Sequence, residues 1–261
     1  MTVDSDGASK GRGGRIVGRI LPAAVRLWLR SQAEQIDGLS IEILGRDRDI
    51  LSGYLPGVAL VAGQAVYQGI HIGALNLSAA DIRINVGQVV RGKPLRLLKA
   101  FPVLGEIVLT EEDVNASLVS SLLAQGMNDF WRSLIQQPTI ASSVEAQYGP
   151  LPLSPDVVVD AAQVKLKGDR LGLRFYPQVA DERAEQPVIL GAGLTAVNGN
   201  CLQLLNPRWM EDLADVALLD KGTAIETLNN FQWDLGSDIE IEHLRLYAGK
   251  IAFKGQIMVN P

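Results

Sequence analysis

Histidine and cysteine are the side chains most readily turned to acid–base or nucleophilic work near neutral pH. This chain has two histidines, His71 and His243, and one cysteine, Cys201. Both histidines fall in alternating strand patterns, where a half-exposed strand position explains them better than a catalytic base does. Cys201 follows an Asn198-Gly199 turn with no partner base in its vicinity, which leaves nucleophilic catalysis unsupported. A zinc site wants about four Cys or His ligands, or two His at HExxH spacing. Neither occurs, so no metal and no cofactor is expected. Gly191-Ala192-Gly193 lacks the third spaced glycine of a dinucleotide loop, and no GxxxxGK run is present. Acids cluster at Glu111-Glu112-Asp113, where helix capping explains them, and at Asp238, Glu240 and Glu242, which alternate with Ile239 and Ile241 as the wet face of a strand. The chain reads as a non-enzyme.

Charge patterning gives one unusual feature. Lys10, Arg12, Arg15, Arg19, Arg26 and Arg30 follow one another with no acid between Asp6 and Glu34. On a continuous helix Arg15, Arg19, Arg26 and Arg30 form one stripe, with Trp28 among the apolar residues of another face. These five residues are the candidate membrane-docking set, because an interfacial helix on anionic lipid carries this pattern. An ordinary amphipathic helix packed on a sheet carries it too. The formal net charge of −5 argues against a nucleic-acid partner.

The elements that position these residues follow from periodicity. Hydrophobic residues make up 47% of the 261 and charged residues 20%, enough for a core and too apolar for a disordered chain. A lone cysteine allows no internal disulfide and suits a reducing compartment. No uncharged apolar run reaches about 18 residues, the minimum for a spanning helix, and Arg19, Arg26 and Pro22 interrupt the one early apolar stretch. The expected location is cytoplasmic, with peripheral membrane contact.

Residues 1–19 read as a disordered basic tail and residues 20–261 as one α+β domain. Pro22 suits the first turn of a helix reaching about Ile36, with Gly38 as its terminal cap. From 39 to 90 the period is two, with a parity slip between 72 and 77 that suggests a bulge. Thr110 opens a helix expected to run to about Ile135, since Val114, Leu118, Leu122 or Leu123, Met127 and Trp131 recur at helical spacing. The second half returns to strands, with hairpins at Asn198-Gly199 and Ala248-Gly249, and a helical stretch from Arg208 to about Leu219. Strands in blocks separated by helices give α+β with antiparallel sheets rather than a doubly wound parallel sheet.

A resemblance is carried by LGEIVLTEEDVNASL at residues 104–118, DILSGYLPG at 49–57, DLGSDIEI at 234–241 and GQIMV at 255–259. These segments resemble the LmeA-like phospholipid-binding family over about residues 20–260, and its cyanobacterial members are particularly similar. The resemblance implies a fold akin to tubular lipid-binding (BPI/TULIP-like) proteins, a long curved antiparallel sheet wrapped around a long helix. It implies an apolar groove for a phospholipid or other acyl-chain ligand, with lipid binding or transfer at a membrane surface, and it carries no catalytic residues. No signal segment is expected, in contrast to the mycobacterial type. The expected groove lining is Val58, Leu60, Ile70, Ile72, Ile82, Ile84, Leu118 and Leu122. The competing expectation is a scaffolding protein with a dry core that binds a protein partner.

Overall fold

The computed structural model describes the backbone of residues 12–151, 154–229 and 231–261, and side chains from Leu21 onward within the first helix. The N-terminal half comprises α1 (Arg12–Gln32), β1 (Gln35–Asp37), β2 (Ser40–Leu44), α2 (Asp47–Leu51), β3 (Tyr54–Ala62), β4 (Gln64–Tyr67), β5 (Ile70–Ile72), β6 (Ala74–Arg83), α3 (Val86–Val89) and β7 (Phe101–Thr110). Three helices follow: α4 (Glu111–Ser117), α5 (Ser121–Ile135) and α6 (Pro138–Tyr148). The rest is β8 (Val158–Lys167), β9 (Arg170–Val179), β10 (Glu182–Arg183), β11 (Val188–Val197), β12 (Cys201–Trp209), β13 (Thr223–Ala224), β14 (Gln232–Asp234), β15 (Ile239–Tyr247) and β16 (Lys250–Val259). The fold is α+β, and every strand pair among the described residues is antiparallel.

Two large sheets carry the molecule. The first runs β15-β16-β7-β6-β3-β2, so the closing hairpin returns to the first-made strands. Cross-strand partners put Ile43, Val58, Ala79, Val103, Ile257 and Ile239 in one row, and Ile41, Leu60 and Leu77 in the next, on a single inner face. Helix α1 lays Leu21 and Val25 onto that face beside Leu55, Ile82, Ile84 and Phe101. The second sheet is built on β10-β9-β11-β12-β13, with β8 on β9 and β14 on β12. Its inner face is covered by α5 and α6. Met127, Phe130, Trp131 and Leu134 recur at three- and four-residue spacing and meet Val164, Phe175, Val188 and Leu190. Trp131 stands edge-on to Phe175 with ring centroids 4.9 Å apart.

Several expectations change. Helix α1 contains Pro22 in its interior and ends at Gln32, after which Gln35 already enters a strand. Of the expected tail, residues 1–11 lie outside the described residues. The parity slip at 72–77 is a change of sheet, since β5 pairs in a three-stranded sheet with β4 and β1 while β6 belongs to the six-stranded one. The helix expected from 110 to 135 is two helices. Thr110 caps the first of them as read, and the cap closes into a reciprocal box, with Thr110 Oγ1 accepting the Asp113 N–H at 3.1 Å and Asp113 Oδ2 accepting the Thr110 N–H at 2.8 Å. Ser117 then bonds back to the Asp113 carbonyl at 2.7 Å and accepts the His71 N–H at 2.8 Å. Ser120 starts the next helix by accepting the Leu123 N–H at 3.2 Å, and Val119 between them is 89% exposed. The helix expected over 208–219 is the end of β12, a turn and a short 3-10 helix at Leu213–Asp215, because Arg208 and Trp209 pair with β11 and β13. Helix α6 was not expected.

Tyr148 fastens α6 to the second sheet. Its hydroxyl faces the Ile189 and Met210 carbonyls at 2.8 and 2.9 Å and accepts the Ile189 N–H at 3.2 Å. Burial pushes the phenol up to about 12 from its ordinary 10.0, outweighing the opposing backbone contacts. The folded state thus holds this proton more tightly than the unfolded one. The stabilisation is complete below pH 10 and is lost as pH rises from 10 to about 12. Tyr148→Phe is expected to cost about 1–3 kcal/mol at neutral pH by stranding the Ile189 N–H, and to flatten the alkaline loss. Urea unfolding at pH 7 and pH 11 checks both effects.

Candidate functional site

The two sheets meet where β11 runs against β15, and there Leu244, Leu246 and Ile251 of the closing hairpin join the second-sheet core. The Ile241 N–H donates to the Gly199 carbonyl across this seam. Beside the seam lies a cleft of about 610 Å³, within the size range of small-molecule sites. Strand register sets one wall: Arg245 pairs with Ala252 and Tyr247 with Lys250, and Glu106 stands on the neighbouring β7. The other wall comes from Gly193 and Leu194 of β11, Leu205 and Asn206 of β12, and Ala217 and Leu219 of the loop behind them. A smaller hollow of about 210 Å³ adjoins it and adds His243, Phe253 and Lys254.

A bulge shapes this second wall. The β11–β12 register shifts between Gly191 and Gly193 and leaves Asn206 in the left-handed region at φ 47°. Asn tolerates that region better than most residues do, and Asn229 Oδ1 accepts its N–H at 3.1 Å. Arg170, at the start of β9 and 5% exposed, ties the bulge to the loop. Its Nη2 donates to the Asn206 carbonyl at 3.1 Å and its Nε to the Val216 carbonyl at 2.8 Å. Burial lowers its pKa, with Asp169 working against that and Arg208 with it. A guanidinium remains charged throughout the physiological range, so the cleft has a fixed buried cation in its wall and a second, exposed one in Arg245, set beside the carboxylates Glu106 and Asp169. Leu194, Leu205, Leu219, Leu244 and Leu246 give it apolar surface for an alkyl chain.

The expected lining residues lie elsewhere, on the inner faces. Ile82 and Ile84 are brought together in the cluster under α1, with Val58 packed against it. Leu60 is buried in a neighbouring cluster, with Ile72 packed against it. Ile70 is half-buried on β5, and Leu118 packs on the second-sheet core. Leu122 stands apart, 58% exposed. Of the docking set, Arg26 and Arg30 are exposed, while Trp28 is half-buried against the first-sheet cluster. Arg15 and Arg19 lie in the backbone of α1, and their side chains are outside the described residues.

The remaining candidates find structural partners. The His71 N–H serves Ser117, and the Cys201 thiol donates to Asn200 Oδ1 at 3.6 Å. Glu111 accepts Lys165 Nζ at 2.9 Å and the Leu166 N–H at 2.8 Å. Burial raises its pKa, but these two hydrogen bonds outweigh that and hold it below the usual carboxylate value. Among the described residues no group of three or more His, Cys, Asp or Glu is placed to hold a metal ion, and no helix is long and apolar enough to cross a membrane.

The cleft was not legible in the sequence. Its walls come from strands far apart in the chain, and Arg170 finds its partners 36 and 46 residues away. The strand itself offered no signal, since Arg170 opens β9 directly after Asp169 and a second arginine, Arg174, follows on the same strand. The sequence model of one family, described as LmeA-like phospholipid-binding, matches residues 13–256. Nothing among curated proteins or solved structures matches the chain.

Proposed function

Because the chain belongs to the LmeA-like phospholipid-binding family, we propose that it is a non-catalytic lipid-binding or transfer protein holding a phospholipid's acyl chain in the cleft between the two sheets. The cleft carries this reading: about 610 Å³, leucines from both walls, and Arg170 and Arg245 for a phosphate. Affinity comes mainly from burying methylenes, at about 0.8 kcal/mol each. The kinship with tubular lipid-binding folds belongs to the same proposal. It is supported by the apolar inner face of the six-stranded sheet, with α1 in the place first given to the 110–135 helix.

Native mass spectrometry followed by organic extraction tests the binding. A stoichiometric co-purified phospholipid that survives gel filtration is the expected result. An empty protein that also takes up no fluorescent phospholipid would leave a dry-cored scaffolding protein as the better reading.

The protein works at a membrane surface, and α1 makes the contact. Arg26 and Arg30 point to solvent, with Leu27 between them 71% exposed. Arg26→Glu with Arg30→Glu is expected to weaken flotation with anionic vesicles by tenfold or more, at about 1 kcal/mol per charge. Unchanged flotation would remove α1 from the docking surface.

A further inference from the structure

The chain has a second stretch that is basic and free of acid. Between Asp81 and Glu106 it carries Arg83, Arg91, Lys93, Arg96 and Lys99 and no carboxylate. The first 99 residues hold 13 of the 24 basic side chains and 8 of the 29 acidic ones, so they carry +5 and the remainder −10. A chain of net charge −5 therefore has one cationic end.

Packing brings the two basic stretches together. Helix α1 inserts Leu21 and Val25 among Val86, Val89 and Leu95. The segment after α3 is thereby held beside α1, and the Ile84–Leu97 bridge fixes its far side to the end of β6. Arg91, Lys93, Arg96 and Lys99 are all exposed, and among the described residues none of their side chains makes an ion pair or hydrogen bond. Two aliphatic side chains stand out among them, Val90 at 47% and Leu98 at 60% exposure.

We infer that the segment from Val90 to Lys99 is a second arm of a docking surface for an anionic phospholipid bilayer, set beside α1 at the same end of the molecule. This inference rests on the reading of the chain as a lipid protein that works at a membrane, and it adds the element and residues through which the contact is made. Cations attract the anionic head-group layer, at a gain of about fivefold in affinity for each one brought near it. Val90, Leu98 and the Leu27 of α1 then enter the boundary between head groups and acyl chains, where apolar surface leaves water. A nucleic acid fits this surface less well. Its phosphates gain nothing from exposed aliphatic side chains, and single-strand binders place aromatic rings between their cations, whereas Trp28 packs against the core.

Flotation of the full chain with two vesicle types tests this: phosphatidylcholine alone, and phosphatidylcholine mixed with phosphatidylserine. The wild type is expected to bind the mixed vesicles more tightly, with an affinity that falls as salt rises. Arg91→Glu with Arg96→Glu, leaving α1 untouched, is expected to lose at least about 25-fold on the mixed vesicles. The charge-preserving Arg91→Lys with Arg96→Lys is expected to keep wild-type binding. Leu98→Gln is expected to weaken binding without changing its salt dependence. Circular dichroism of each variant confirms the fold. Equal binding of the wild type to both vesicle types, or unchanged binding of the charge-reversed pair, overturns the inference. So does a wild type that prefers duplex DNA to the mixed vesicles at equal phosphate. Native mass spectrometry of the charge-reversed pair separates the two claims. Retained phospholipid with lost flotation supports both, whereas lost flotation of the pair with no phospholipid in either protein sinks the cleft and leaves the docking surface standing.

Discussion

Ala252→Trp is expected to abolish phospholipid uptake while leaving the protein folded. Ala252 sits on β16 opposite Arg245 and Val108 and faces the cleft. An indole at this position extends into open space rather than into packed core, so the strand ladder on either side is retained. It fills room that the acyl chain needs. Excluding only three methylenes costs about 2.4 kcal/mol, a loss of more than tenfold, and blocking the whole chain costs far more. Titration with a fluorescent phospholipid, set beside a thermal melt, reads both effects. Wild-type uptake with a native melt would move the lipid out of this cleft and towards the inner face that Val58, Leu60, Ile82 and Ile84 line.

The largest loss of stability is expected from a single methyl group at Gly255. Gly255 and Gly105 are direct cross-strand partners in the middle of the six-stranded sheet. A Cβ on Gly255 would run into the Glu240 carbonyl and come within 3.0 Å of Ile241 Cα, both of them backbone and unable to swing aside. Next to this point the β15–β16 register shifts between Ile241 and His243, so the partner strand lies unusually close. Gly255→Ala must displace β15, at an expected cost of about 3 kcal/mol or more. Gly87→Ala is the control. That site has open space around it within α3 and should change stability by no more than about 1 kcal/mol. Urea denaturation of both variants decides the matter, and a Gly255→Ala midpoint close to that of the wild type would show that the sheet relaxes freely there.

The strands were legible because each presents one wet face, and alternation then appears in the sequence itself. Ile41, Ile43, Ile82 and Ile84 fall in β2, in β6 and just beyond it, and the closing hairpin turns at Ala248-Gly249 as read. Asn198 and Gly199 take φ of 55° and 78°, the mirror-image turn that this pair favours. What sequence reading missed depended on partners remote in the chain. The break before α5 rests on Ser117 accepting an N–H from His71, 46 residues earlier. Arg208 and Trp209 open a stretch that reads as helical in sequence but are claimed by β11 and β13. The cleft was hidden for the same reason, because it lies between strands of two sheets whose contact is decided only once both exist. The lining first expected came from inner-face isoleucines, which look the same in sequence whether they meet a ligand or a helix.

Strand β7 has its two neighbours at very different distances along the chain. Strand β6 precedes it closely, while β16 pairs with it over its whole length, from Phe101 opposite Val259 to Thr110 opposite Lys250. On the ribosome, β7 therefore emerges long before its second partner and presents a bare edge until residues 250–259 have been made. Exposed edges of this kind invite pairing with other chains, and closing so distant a contact is slow. A strand made about 140 residues after β7 is what seals the first-made sheet. Nascent chains are thus most vulnerable to aggregation late in translation, and a ribosome that stalls before residue 250 releases a sheet with its centre open.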